Sequence, residues 1–407
     1  MTLRVAFHRT PALRPKTGVG HYTAELLREL ELLKPQLEVV GLPAGVMASV
    51  YRAAAHPLLG RAESAPPNPD ATPKPSSSAL RRILRGGYQS AHNVFFRALS
   101  RKLTKSRFDL YHEPNFPILP TELPTVLTIY DLSLILMPEF HPADRVALFE
   151  KQFAQAREQA THIVTISDFI RDEIIRVLGV PPERVTRTYL GVRPDLTPLP
   201  KPRVEERLRA LNLPATYLLY VGTLEPRKNL LRLMQAYCRL EAPLREKCPL
   251  LLVGGWGWNI GEMADFLESE GRRKGVIHVG YVSDADLATL YNGARALVYP
   301  SHYEGFGLPP LEMMACGGPV LASTAGAHVE LFANAAHLIP ADDTDGWTAA
   351  MARVISDDDW RRQLAANVRP HAAQFTWSRC ASETFAVYEK VVAGRLANAE
   401  KPGVVGG

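Results

Sequence analysis

The chain has 407 residues and a formal charge of +5 at pH 7, from 47 Lys and Arg against 42 Asp and Glu. That length suits two domains, with room for a third. A hydrophobic fraction of 46 % and a charged fraction of 22 % exclude a disordered or collagen-like chain. Proline is in excess, at 33 residues against the ~5 % of an average protein. Cys238, Cys248, Cys316 and Cys380 are scattered and form no C-x-x-C pair, so neither a disulfide framework nor structural zinc is expected. No run approaches 18 apolar residues, and "MTLRVAFHRT" reads as a first strand rather than a signal peptide. A cytoplasmic protein is expected.

In chain order, short apolar runs alternate with segments of helical length. In the first half the runs are Leu3–Phe7, Leu37–Leu42, Phe108–His112, Val126–Tyr130, His162–Ile166 and Val185–Leu190. In the second they are Tyr217–Val221, Leu250–Val253, Val276–Val282, Ala296–Tyr299, Pro319–Ala322 and His337–Ile339. Continuous apolar strands between amphipathic helices predict parallel sheets covered on both faces. A dozen strands exceed one such sheet, so the fold class expected is α/β with two Rossmann-like α/β/α halves. "PDLTPLPKPRVEE" marks the division, because neither helix nor central strand is expected where proline is this dense. The expected organisation is residues 1–193, a linker at 194–204, a second half at 205–376, a last helix at 377–392 and a tail at 393–407. "SAPPNPDATPKPSSS" (Ser64–Ser78) has the composition of a disordered insertion.

Three loops carry the chemistry. In "YPSHYEGFGLPPLEMMACGGPVLAS" a strand runs into a Gly/Pro-rich loop and then a helix starting near Pro309–Pro310. Glu304 sits at the strand edge and Glu312 in the helix's first turn, so two acids can face one pocket. Gly305 and Gly307 let a ligand approach the backbone. In "YVGTLEPRKNL", Gly222 opens a turn and Arg227 and Lys228 stand near a helix start. This is either an ordinary solvated pair or an anion site suited to a diphosphate. In "RPKTGVGHYT", Gly18 and Gly20 resemble a phosphate loop. The third glycine of G-x-G-x-x-G would fall at Thr23, and no G-x-x-x-x-G-K-[ST] occurs, which argues against a dehydrogenase and a P-loop ATPase.

Gly222, Arg227–Lys228 and "EGFGLPPLE" together resemble the retaining glycosyltransferases of family 4, which have the GT-B fold. Glu304 and Glu312 are the two acids of that family's E-x7-E signature. "YHEPNFPILP", "HIVTISDFIRDEI", "LLVGG", "VGYVSDADLATLYNGARALVYPS" and "FTWSRCASETFAVYEKV" extend the likeness over about four-fifths of the chain. It looks closest to the subgroup that builds bacterial surface polysaccharides, often with mannose. The resemblance implies two Rossmann-like domains facing a deep cleft, the first on the acceptor side and the second binding a nucleotide sugar. The last helix then crosses back to the first domain. The implied donor is GDP-mannose or a UDP-hexose, with no cofactor and no metal.

The resemblance also distributes roles. Arg227 and Lys228 neutralise the diphosphate and Glu304 bonds the transferred sugar, which makes these three the catalytic set. Glu312 takes the ribose hydroxyls, Gly222 lies at the diphosphate, and Tyr281 and Val282 lie at the base. Backbone groups of Phe306, Gly307 and Leu308 contact the sugar, and Gly18 and Gly20 let the first domain close on the diphosphate. Many relatives have His–Asp where this chain has Tyr130–Asp131; Tyr130 can donate a hydrogen bond but not shuttle a proton near pH 7. His112 is a further candidate near the cleft. A glycan or lipid-linked acceptor is expected, and no nucleic acid. The basic, apolar-interleaved stretch Arg81–Arg107 is either a packed amphipathic helix or a face that meets anionic membrane. The rival functions are an epimerase of sugar nucleotides on the same fold and a catalytically weak or inactive nucleotide-sugar-binding subunit.

Overall fold

The apolar runs become twelve strands among the residues that the computed structural model describes, which are 2–13, 18–44, 100–101, 103 and 107–399. The proline-rich insertion at 64–78 lies outside them, as does nearly all of the basic stretch at 81–107. The first sheet holds β1 (Leu3–His8), β2 (Leu37–Leu42), β3 (Leu110–Glu113), β4 (Thr125–Ile129), β5 (His162–Thr165) and β6 (Val185–Arg187). The second holds β7 (Leu218–Val221), β8 (Leu250–Val253), β9 (Val276–Gly280), β10 (Ala296–Tyr299), β11 (Val320–Ser323) and β12 (His337–Ile339).

The spatial orders are β2-β1-β3-β4-β5-β6 and β12-β11-β10-β7-β8-β9. All pairings are parallel. Each sheet is doubly wound, and the order reverses between β1 and β3 in one and between β7 and β10 in the other. Loops at the carboxyl ends of strands diverge at such a switch point and leave a crevice for a ligand.

The helices that frame the site are α1 (Gly18–Glu31), α2 (Asp168–Leu178), α3 (Lys201–Ala210), α4 (Leu230–Cys238), α5 (Asp284–Gly293), α6 (Leu308–Ala315), α7 (His328–Phe332) and α8 (Trp377–Ala399). Ser167 caps α2 by accepting from the Ile170 amide, and Gly179 ends it in the left-handed conformation at φ +63°. Ser283 caps α5 in the same way through Asp286 N.

Two expectations about boundaries change. The linker does not stay irregular through residue 204, because α3 begins at Lys201. Pro202 falls in its first turn, where the missing N–H has no intrahelical partner to lose. The last helix continues past 392 to Ala399. It lies along the first half: the Trp377 ring meets Tyr22 of α1 at 6.1 Å, and Lys390 Nζ donates to Glu183 O. Where chain and linker cross, a Cβ on Gly191 would sit 2.2 Å from the Trp377 amide nitrogen, so only glycine fits.

His112 lies in the core beneath α8, not on the cleft wall. It is fully buried, with Nδ1 against Tyr388 Oη and Nε2 2.8 Å from Thr128 Oγ1. Both ring nitrogens are thus used in joining β3, β4 and α8. Burial pushes its pKa down to about 3 from the ordinary 6.5. Below pH 6.5 the unfolded chain therefore takes up a proton that the folded chain refuses. The neutral imidazole costs nothing above that pH, and stability falls as pH drops, by about 1.4 kcal/mol per pH unit from this group. Urea midpoints should fall between pH 6.5 and pH 5, and His112→Gln should flatten that slope while lowering stability at pH 7. An unchanged slope in the variant would count against the assignment.

Candidate active site at the switch points

The second sheet's switch point is built by the loops after β7 and β10. The first loop passes through Gly222 (φ +150°) and ends in a 3-10 turn, Pro226–Lys228. Asn229 follows in the left-handed region at φ +58°, and its amide donates to Pro300 O at 3.1 Å and Ala341 O at 2.8 Å. That residue stitches the two loops together.

The chemistry converges on Glu304. Lys228 Nζ donates to Glu304 Oε1 at 2.6 Å, and Ser301 Oγ donates to the same oxygen at 2.6 Å. Arg227 Nη1 reaches Glu304 Oε2 at 3.3 Å and Tyr303 O at 2.6 Å, while Nη2 donates to Glu225 Oε1 at 2.8 Å. All four ionised side chains are largely buried. Burial alone would raise the pKa of Glu304, but Lys228 and Arg227 outweigh it and hold the carboxyl well below its usual range. Three N–H bonds remain for a further acceptor, the second of Arg227 Nη2 among them. Arg227 Nε is buried without a hydrogen-bond partner, and Lys228 has three N–H bonds, two of which go to Glu304 and Tyr299.

Glu312 is separate from this cluster. It lies in α6 with Oε1 accepting from Arg193 Nε at 3.2 Å and Oε2 from Tyr291 at 2.7 Å. Burial raises its pKa despite Arg193. The two acids of the motif therefore have different partners, the cations of Glu304 coming from the β7 loop and the partners of Glu312 from Arg193, just before the linker, and from α5. Arg193 also pairs with Asp284 at 3.0 Å, at the start of α5. Tyr281 and Val282 follow β9 in the loop leading to that helix, with Tyr281 exposed. The strand expected to reach residue 282 stops at Gly280, whose φ of +80° breaks the ladder.

Phe306 is buried, its ring 6.0 Å from Phe375. Gly307 precedes α6 with φ +107°, and a Cβ there would lie 3.0 Å from Phe332 and 3.1 Å from His328. Leu308 opens α6, with Pro309 and Pro310 in the first turn. Pro309 and Pro310 have no N–H and Leu311 N donates to Gly307 O, so that turn leaves the Leu308 N–H alone to point out of the helix end.

The first half faces this site with its own switch point. His8 ends β1 and Glu113 ends β3, and the two pair at 2.7 Å in the interior. Thr10 Oγ1 lies 2.8 Å from His8 Nε2, and Tyr111 donates to Glu113. Sequence reading missed both residues, since 105 positions separate them and only strand order joins them. Gly18 and Gly20 do not form an open loop: both lie in the first turn of α1, with residues 14–17 outside the described region. Tyr130 is half-buried at the end of β4 and donates to Pro114 O at 2.6 Å. A Cβ on Gly305 would sit 2.0 Å from Tyr130 O, so the halves touch backbone to backbone.

Comparison with known proteins adds to this geometry. Residues 16–196 match the family model described as Glycosyltransferase Family 4, and residues 205–371 match that of Glycosyl transferases group 1. The chain is 34 % identical over 391 residues to the O-antigen chain mannosyltransferase B of Escherichia coli, covering 95 % of this chain and 100 % of that one. Among solved structures, sucrose-phosphate synthase from Thermosynechococcus elongatus superposes with a TM-score of 0.69 at 20 % identity, covering 96 % of this chain and all of the other. WaaG, a glycosyltransferase involved in lipopolysaccharide biosynthesis, gives 0.66 at 18 %, covering 94 % and 99 %. At those identities the structural likeness bears on the fold.

Removing one member of a buried ion pair leaves the other charge unpaired, at a cost of about 3–5 kcal/mol. Glu304→Gln should lose stability in that range in urea. Lys228→Met combined with Glu304→Gln should lose clearly less than the two single changes added together. Strict additivity would show that the pair is not energetically coupled.

Proposed function

The chain belongs to the glycosyltransferases of family 4 and group 1 and has their GT-B fold, and from that premise we propose that it is a retaining hexosyltransferase. It moves a hexosyl group, mannose by preference, from a nucleotide-diphosphate sugar to a glycan or lipid-linked acceptor of a surface polysaccharide. The carrying observation is the meeting of Arg227, Lys228 and Glu304 across the β7–β10 switch point, with three N–H bonds still to satisfy. The preference for mannose and for a surface polysaccharide is supported by the relative named as an O-antigen chain mannosyltransferase. GDP-mannose is the favoured donor and a UDP-hexose the alternative.

In this reading the donor's diphosphate accepts from Arg227 Nε and Lys228 Nζ. The acceptor hydroxyl attacks the anomeric carbon from the face that the diphosphate leaves. The sugar–phosphate C–O bond breaks as the new C–O bond forms, and the departing phosphate oxygen takes the hydroxyl's proton. Negative charge grows on the leaving group during this step, so the two cations stabilise the transition state more than the ground state. The reaction needs no protein nucleophile. Glu304, already bonded to Lys228, Arg227 and Ser301, fixes the cations and presents its remaining lone pairs to sugar hydroxyls. Glu312 contacts the ribose beside Tyr281 and Val282, and backbone N–H groups at Phe306, Gly307 and Leu308 lie beside the sugar.

The test is a thermal-shift panel of nucleoside diphosphates and nucleotide sugars, followed by donor turnover with product-anomer assignment by NMR. GDP and GDP-mannose should give the largest upward shifts, and the product linkage should keep the donor's anomeric configuration. Lys228→Ala and Glu304→Ala should each lower turnover by at least about a hundredfold. Full turnover in both variants sinks the site assignment. An inverted product sinks the retaining mechanism. Nucleotide binding without any turnover would favour the inactive-subunit reading, which Tyr130, standing where many relatives have histidine, makes the natural second choice.

A further inference from the structure

Resting on that reading of the site, we propose that Tyr303 is a positioning residue that couples closure of the two halves to the grip on the leaving diphosphate. Tyr303 belongs by sequence to the second half, in the loop after β10. Its side chain is nevertheless buried in the first half's core, with Leu132, Ile170 and Ile174. The ring meets Phe169 edge-on at 6.0 Å. The hydroxyl donates to Glu173 of α2 and accepts from the Leu132 amide at 3.2 Å. Main chain and side chain of this residue face opposite ways. Its carbonyl accepts from Arg227 Nη1 at 2.6 Å, and the next residue is Glu304.

The neighbours alternate in the same manner. His302 stacks on Phe140 of the first half at 5.5 Å, and the His302 amide donates to Arg227 O at 2.9 Å. Gly305 O accepts from Ser167 Oγ at 2.8 Å, at the cap of α2. Residues 302, 303 and 305 thus reach into the first half while Glu304 turns back to Lys228 and Arg227. Moving the halves apart by one hydrogen-bond length pulls the phenol away from a buried carboxyl group. It also drags the carbonyl that holds Arg227. The buried carboxyl loses its donor in the open form, so closure and placement of the guanidinium are favoured together. The nucleoside end of the donor lies on the second half alone and does not require this plug.

The experiment is Tyr303→Phe, which keeps the ring and removes only the hydroxyl. Release of GDP from GDP-mannose, GDP affinity by calorimetry, and the radius of gyration by small-angle X-ray scattering are compared with the starting protein. The expected result is a kcat about 10- to 100-fold lower, GDP affinity within about threefold, and a larger radius of gyration. Glu173→Gln, which keeps an oxygen acceptor, should lose less than Glu173→Ala. Combining Tyr303→Phe with Glu173→Leu removes the stranded carboxyl and should recover part of the lost rate. An unchanged kcat with an unchanged radius overturns the proposal. So does a kcat loss matched by equal losses of GDP affinity and melting temperature, the pattern of a purely structural residue. If the unaltered protein releases nucleoside diphosphate from no nucleotide sugar, the functional reading fails, and the radius of gyration still decides whether Tyr303 holds the halves closed.

Discussion

The buried pairing of Lys228 with Glu304 is the constraint on which the rest of the site depends. Neither charge is tolerable in that interior alone, and their attraction offsets desolvation only while the geometry is kept. The pair can form because β7 and β10 are hydrogen-bonded neighbours, although β8 and β9 intervene in sequence. Their loops therefore leave the sheet side by side. The Asn229 side-chain amide then fixes the β7 loop to the β10 loop through Pro300 O and to the loop after β12 through Ala341 O, and Ser301 and Tyr299 complete the bonding around the ion pair. The local sequence accommodates this: asparagine tolerates the left-handed backbone, and the Pro226–Lys228 turn brings both cations to one side.

From that cluster the order spreads into the other half. Tyr303, Gly305 and His302 touch the first half from the same loop that carries Glu304. A second clasp lies further along, where the Glu330 carboxylate of α7 accepts from the Asp168 and Phe169 amides at 2.9 and 2.8 Å and from Tyr189 at 2.9 Å. A carboxylate on the first amides of α2 meets the positive end of the helix dipole. That contact is exposed and contributes less than the buried phenol. On the far side, the crossing at Gly191 and Trp377 is tight enough to exclude a methyl group. The halves are thus joined at a narrow hinge and meet again at a seam made of site residues.

Strands were the most legible feature, because a strand buried on both faces must be continuously apolar and leaves its mark without any partner in view. All twelve strands follow from that, with their ends within two residues of the apolar runs except at β6, which stops three residues short of Leu190. Boundaries set by special backbone were not legible: β9 ends at Gly280 because of a positive φ, and α3 starts inside a proline-rich stretch because proline suits a first turn. For the site, Arg227 beside Pro226 and Glu304 beside Gly305 stood out as charges at turn residues after a strand, while Lys228 and Glu312 stood out only as parts of the same motifs. Their pairing was not, and the two acids turned out to hold different partners. His8 with Glu113, and Arg193 with Glu312, join residues distant in sequence and carry no local signal. His112 looked like a cleft residue because it follows a strand pattern into a polar loop. The crossing helix that covers it comes from the other end of the chain.

The charges at the second switch point add to zero when Arg227 and Lys228 are set against Glu304 and Glu225. A net positive field is therefore not what would draw a diphosphate there. In the proposed reaction the attraction comes from N–H bonds not yet used, at Arg227 Nε, at Arg227 Nη2 and the third of Lys228. Preorganised donors of this kind gain most where charge increases, since their orientation is fixed before the reaction starts. In the proposed reaction a neutral but donor-rich cluster would then bind the ground state moderately and the departing diphosphate more strongly. It does so only while Tyr303 O keeps Arg227 in place. The carboxylates are accordingly part of the cationic grip, because without them two buried cations could not be held within reach of one another.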